Sequence, residues 1–182
     1  MRTLFEYIPR ILSAFKKRDQ RRLRKLNDSV LRETAVDSTK INFRLAIISY
    51  VLSKIVSKPR LLSEECQPAL SAIEYSLVKL VKKMRIADES MIMDLFSEIE
   101  TNVSLLEERD PRFVIGLLSK GKLKMAATFY AQGMSLGIAA EMTGIDKQEI
   151  LDYAGSTMMF DRLTEEKTLK ERMKIARQLL SG

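Results

Sequence analysis

Apolar residues recur at spacings of three and four almost throughout this chain, and no run alternates strictly over the length of a strand. That spacing lines apolar side chains along one face of a helix, so the chain is expected to be all-α. Pro9 falls near the start of a first helix, and Asp19 can cap a second reaching about Val36. Asp37 or Ser38 caps a third, whose stripe is Ile41, Leu45, Ile48, Leu52 and Ile55, and Pro59 breaks it. A fourth, from about Ser63 to Ile86, buries Leu70, Ile73, Leu77, Leu80 and Met84. A fifth, from about Asp88 to Glu108, buries Ile92, Leu95, Phe96, Ile99, Val103 and Leu106.

The sharpest stop is Asp110-Pro111, an N-cap followed by proline at the first helical position. It divides the chain into an N-terminal helical bundle, residues 1–109, and a second helical domain, residues 110–182. Residues 112–120 read as a short helix leading into a three-helix unit over residues 122–155. There a helix from Lys122 to about Gln132 ends at Gly133, which takes the left-handed conformation cheaply. Ser135 caps a short helix, Leu136 to Thr143; Gly144 makes a tight turn; Ile145 plugs the core; Asp146 caps a helix from Lys147 to Ala154. Ala140 stands four residues before Gly144, where two steeply crossing helices leave room for a methyl group. Ile150 and Tyr153 share the inner face of the third helix. This is the spacing of a helix-turn-helix without a wing, and a generic helical hairpin is the alternative. Thr164 caps a terminal helix with a narrow stripe of Leu169, Met173, Ile175, Ala176, Leu179 and Leu180. Such a stripe packs on its own core or pairs with a second copy in a homodimer.

Tyr130, Gly133, Ser135, Leu136, Gly137, Ala139, Ala140, Glu141 and Gly144 together read Y-x-x-G-x-S-L-G-x-A-A-E-x-x-G. This run resembles the short archaeal and bacterial helix-turn-helix proteins, often antitoxin-like, over about a fifth of the chain. The resemblance implies a fold unit and, with it, binding to double-stranded DNA.

In DNA-binding versions the third helix enters the major groove by its first turns, which makes Lys147 and Gln148 the candidate base contacts. Lys120, Lys122 and Lys124 could grip a phosphate backbone from the preceding helix. Against this, residues 135–155 hold four acids (Glu141, Asp146, Glu149, Asp152) and one base, while phosphate contact dominates duplex affinity. The basic excess lies elsewhere. Residues 1–60 carry 15 Lys/Arg against 5 Asp/Glu, and the remainder carries 16 against 19. Arg18, Arg21, Arg22 and Lys25 share one helix face, with Leu23, Leu26 and Val30 on another. Such a stripe suits a phosphate backbone or an acidic partner, and it also suits a merely solvated face. No aromatic is interleaved with these bases, so stacking on single strands finds no support.

Other classes are disfavoured. The chain has no histidine, the commonest general base and metal ligand at neutral pH, so no catalytic or metal site is expected. One cysteine, Cys66, cannot build a zinc or iron–sulfur site or an intrachain disulfide. No glycine-rich phosphate loop is present, and Glu64/Glu65, Glu98/Glu100 and Glu107/Glu108/Asp110 are adjacent acids that point different ways. No cofactor, no membrane partner and a cytoplasmic location are the expectations, since Leu45 to Leu52 is too short to span a bilayer. Abundant Lys, Arg and Glu fit a thermophile. Two functions remain: a transcription-regulator-like nucleic-acid-binding protein, and a helical interaction or scaffold protein whose tri-helical unit is structural.

Overall fold

Residues 2–108 and 116–159, the part of the computed structural model described here, form eight α-helices, two 3-10 turns and no strand. The helices are α1 Arg2–Lys16, α2 Gln20–Val36, α3 Lys40–Val56, α4 Gln67–Lys83, α5 Glu89–Glu108, α6 Leu117–Ala131, α7 Leu136–Thr143 and α8 Lys147–Ser156. The 3-10 turns, Pro59–Leu62 and Glu64–Cys66, lie between α3 and α4. The Asp110-Pro111 stop, most of the expected short helix at 112–120, and the Thr164 helix lie outside the described residues.

Helix α3 is the axis. Thirteen of its 17 residues are buried, so it is apolar nearly all round, and it touches α1, α2, α5 and α6. Polar side chains inside this core are hydrogen-bonded, although Asn42 Oδ1 is left without a donor. Asn27 of α2 donates from its amide to Ala46 O and Ser49 Oγ of α3, both at 2.9 Å, which fixes the register of that antiparallel pair. Arg44 of α3 bridges to α5 through Glu100, Ser97 Oγ and Met93 O.

Several helix boundaries differ from the sequence expectation, each for a physical reason. Pro9 sits inside α1 rather than at its start. The carbonyl deprived of its partner belongs to Phe5, which is 38% exposed, so the missing bond falls on the solvent side. Thr39, not Asp37 or Ser38, caps α3 by accepting from Asn42 N. The fourth helix begins at Gln67, because the 3-10 turns carry the chain from Pro59 to Cys66.

The largest departure is α6. It runs unbroken from Leu117 to Ala131, joining the expected short helix to the helix expected from Lys122. Gly121 lies mid-helix because α3 passes there: a Cβ on Gly121 would stand 2.9 Å from Val51 Cγ2 and 3.5 Å from Tyr50 Cδ1. Further along, the rings of Phe43 and Phe129 meet at 4.5 Å. The two contacts run in opposite residue order, so α3 and α6 are antiparallel. Leu117, Met125 and Phe129 belong to the same apolar core as α1–α5, while Ala126 and Ala127 face a second, smaller core.

The start of α6 has no cap of its own, since Gly116 lacks a side chain. Glu107, in the last turn of α5, supplies one: its carboxylate accepts from Leu117 N and Leu118 N. Burial pushes the Glu107 carboxyl up from the usual range, and the two N–H donors oppose that shift. Glu107→Ala is expected to lower stability by about 1–2 kcal/mol in urea denaturation, while Glu107→Gln, which keeps an acceptor, loses well under that.

Candidate nucleic-acid interface

The unit formed by α6, α7 and α8 is assembled from local signals. Gly133 takes φ +99 and Met134 N closes on Phe129 O at 3.0 Å, which ends α6. Ser135 accepts from Ile138 N to start α7, and Gly144 at φ +70 ends it, its N–H donating to Ala140 O at 2.8 Å. Asp146 accepts from Gln148 N to start α8. The small core holds Ala126, Ala127, Ala139, Ile150, Ala154 and Met159, with Tyr153 and Ile145 partly buried against it. The methyl-sized position is therefore Ala139, fully buried, rather than Ala140 one residue on. Both are alanine, and only the phase of a two-turn helix separates them.

Lys147 and Gln148 are exposed in the first turn of α8. The Gln148 amide is engaged along its own helix, donating to Asp152 Oδ1 at 2.8 Å. Exposed Leu151 on α8 and Ile138 on α7 add apolar surface to this acidic unit.

The basic segment divides. Arg18 is not part of the α2 face. It sits in the turn before it at φ +53, donates to Phe15 O, pairs with Glu74 of α4 at 2.9 Å, and lies 5.0 Å from the Phe15 ring centroid. Those contacts offset an otherwise unfavourable left-handed residue. Arg21, Arg22 and Lys25 are exposed on α2, while Leu23, Leu26 and Val30 are buried beneath them. Arg21 and Lys25 point outward, one turn apart, whereas Arg22 and Arg24 fall on the two flanks of the helix. The Arg24 guanidinium donates to the Gln20 side-chain oxygen one turn back on α2, at 2.6 Å.

Helices α3 and α6 meet at Tyr50. Tyr50 of α3 carries the Lys54 ammonium 5.3 Å and the Lys124 ammonium 4.7 Å from its ring centroid. Burial pushes the Tyr50 phenol up to about 12; the charge of Tyr153 adds to the rise and Arg24 opposes it. The three α6 lysines do not form one patch. Lys120 and Lys124 share the flank toward Tyr50, while Lys122 lies about 200° round the helix from each.

Sequence inspection missed Tyr50, Lys54 and Lys124 as one cation–aromatic group. Arg24 lies inside the basic run, but its direction depends on which face α2 buries. Tyr50 and Lys54 carry the i, i+4 signal of a cation–aromatic pair within an otherwise apolar helix.

Three of the paired acids of the sequence, Glu98, Glu100 and Glu107, are structural. Glu98 binds Lys79 and Ser76, and the Lys79 hydrogen bond holds its carboxyl below the usual range. Glu100 pairs with Arg44, and Glu107 caps α6. Cys66 is buried, with Sγ 3.8 Å from Arg60 O. No helix among the described residues is long and apolar enough to cross a membrane. No protein-family model, no curated protein and no solved structure matches this chain.

Proposed function

We propose that this protein binds double-stranded nucleic acid, in the manner of a transcription regulator. The outer cations of α2 grip the phosphate backbone, and the first turn of α8 lies against the bases. The observation that supports this reading is α6, which packs into the bundle by one face and against α7 and α8 by the other, so that the basic helix and the tri-helical unit are held at a fixed spacing. Exposed Lys120 of α6 adds positive charge.

Replacing Arg21 and Lys25 together by Gln should weaken duplex binding for all sequences alike. The slope of log affinity against log salt should shrink by about 1.8, since each phosphate that a cation neutralises adds near 0.9. Arg18→Gln should change stability instead, because its guanidinium is engaged by Phe15 and Glu74. Lys147→Ala should change preference among sequences. A wild-type Kd weaker than about 10⁻⁴ M at physiological salt would sink the reading.

One observation favours the alternative, a protein-interaction role. The outward surface of α7 and α8 combines exposed Ile138 and Leu151 with Glu141, Glu149 and Asp152, which suits a partner with an apolar, basic surface.

A further inference from the structure

Unpaired charge on this molecule is sorted by sign rather than mixed. Around the α1–α2 corner Lys16, Lys17, Arg21, Arg22 and Lys25 are exposed, and among the described residues none of them enters an ion pair. In the tri-helical unit Glu141, Asp146, Glu149 and Asp152 are exposed, with Lys147 the one base among residues 133–159, and none of these acids is ion-paired either. A surface that stays clear of its own kind intersperses the two signs and avoids large single-sign fields. Each charged face also carries exposed apolar residues. On α8, Glu149 and Asp152 lie away from the buried Ile150 and Ala154, with exposed Leu151 beside them and exposed Ile138 on α7. On α2, Arg21, Lys25 and Arg32 fall within about 40° of one another around the axis, with Asp28 the one acid among them. Val36, 88% exposed, continues that side to the end of the helix.

We propose that the acidic face of α8, with Glu141 of α7, docks on the basic face of α2 in a second copy of this chain. The occupant follows from complementarity: the partner that the acidic face calls for is apolar and basic, and α2 presents that combination. The net charge of +7 opposes the approach of two copies at long range, but at about 0.1 M salt charges more than about 10 Å apart are largely screened. What remains is the pairing of opposite charges at contact, which is attractive. Because the two faces differ, the contact either closes reciprocally, as a dimer with two such pairings, or repeats head to tail. Surface ion pairs are individually weak, so the association depends on protein concentration and is dissolved by salt. The α2 cations are those that grip a duplex in the reading above, so a docked copy covers them. The contact itself owes nothing to nucleic acid.

Sedimentation equilibrium of the full chain tests this with no nucleic acid present, so its outcome is separate from that of duplex binding. The wild type should self-associate at about 0.1 mM protein in about 50 mM salt and return to monomer near about 0.5 M salt. Glu149→Lys combined with Asp152→Lys should raise the self-association Kd by more than about tenfold, since like charges then face each other. Arg21→Glu combined with Lys25→Glu should do the same from the other side. An equimolar mixture of the two variants should associate again, because each reversed face meets a reversed partner. Only folded variants can rescue one another, so misfolding does not imitate that result. A wild type that stays monomeric at low salt overturns the proposal. So does undiminished association of either variant alone, or a mixture that remains monomeric.

Discussion

Phe129→Ala is expected to cost about 3–5 kcal/mol in chemical denaturation, near the top of the range for a single residue. Phe129 is fully buried, its ring meets that of Phe43, and it belongs to the core of α1–α5 although it lies in α6. Removing it empties a ring-sized volume between two helices already held at close range by Gly121, so the gap cannot collapse without moving α6 as a whole. The far-ultraviolet signal and the tyrosine fluorescence should lose stability together, because α6 is shared. A loss confined to α6–α8, with α1–α5 unfolding as in the wild type, would show that the shared core couples the two halves only weakly.

Gly121→Val is the second large effect. A bare Cβ already meets Val51 Cγ2 at 2.9 Å, and Val51 is a buried, stiff β-branched side chain in the most enclosed helix of the molecule. Valine should therefore cost about 3 kcal/mol by overpacking. Alanine should cost less, because it recovers about 0.5–1 kcal/mol of helix propensity. Val51→Ala frees the space, so the Gly121→Ala, Val51→Ala pair should be more stable than the sum of the single losses by about 1 kcal/mol. Strict additivity would mean that the two helices do not press on each other at this point.

What the sequence made legible was local. Asp19, Ser135 and Asp146 are caps within three residues of the amide they satisfy, and Gly144 is a turn whose left-handed backbone only its own neighbours require. The six core residues expected in the fifth helix are the six buried in α5, because a long helix repeats its phase often enough to fix it. What stayed hidden depended on partners far along the chain. Gly121 looks like a break until Val51 is placed against it. Arg18 looks like one more surface cation until Glu74, on another helix, is beside it. Lys54 and Lys124 could not be grouped without knowing that α3 and α6 meet at the same tyrosine. The short α7 offered too few turns to tell Ala139 from Ala140.

A helix buried on two sides is also a spacer of fixed length. One face of α6 is locked into the bundle and the other carries α7 and α8, so no flexible tether separates the basic helix from the tri-helical unit. Two binding surfaces joined by a loose linker engage one after the other, and the second is slowed by the search the linker must make. Surfaces set on a common rigid member need no search. A partner whose spacing matches engages both in a single event, and one whose spacing differs by a few ångströms gains nothing from the second. The discrimination exercised by this molecule would then lie in its ruler as much as in its side chains.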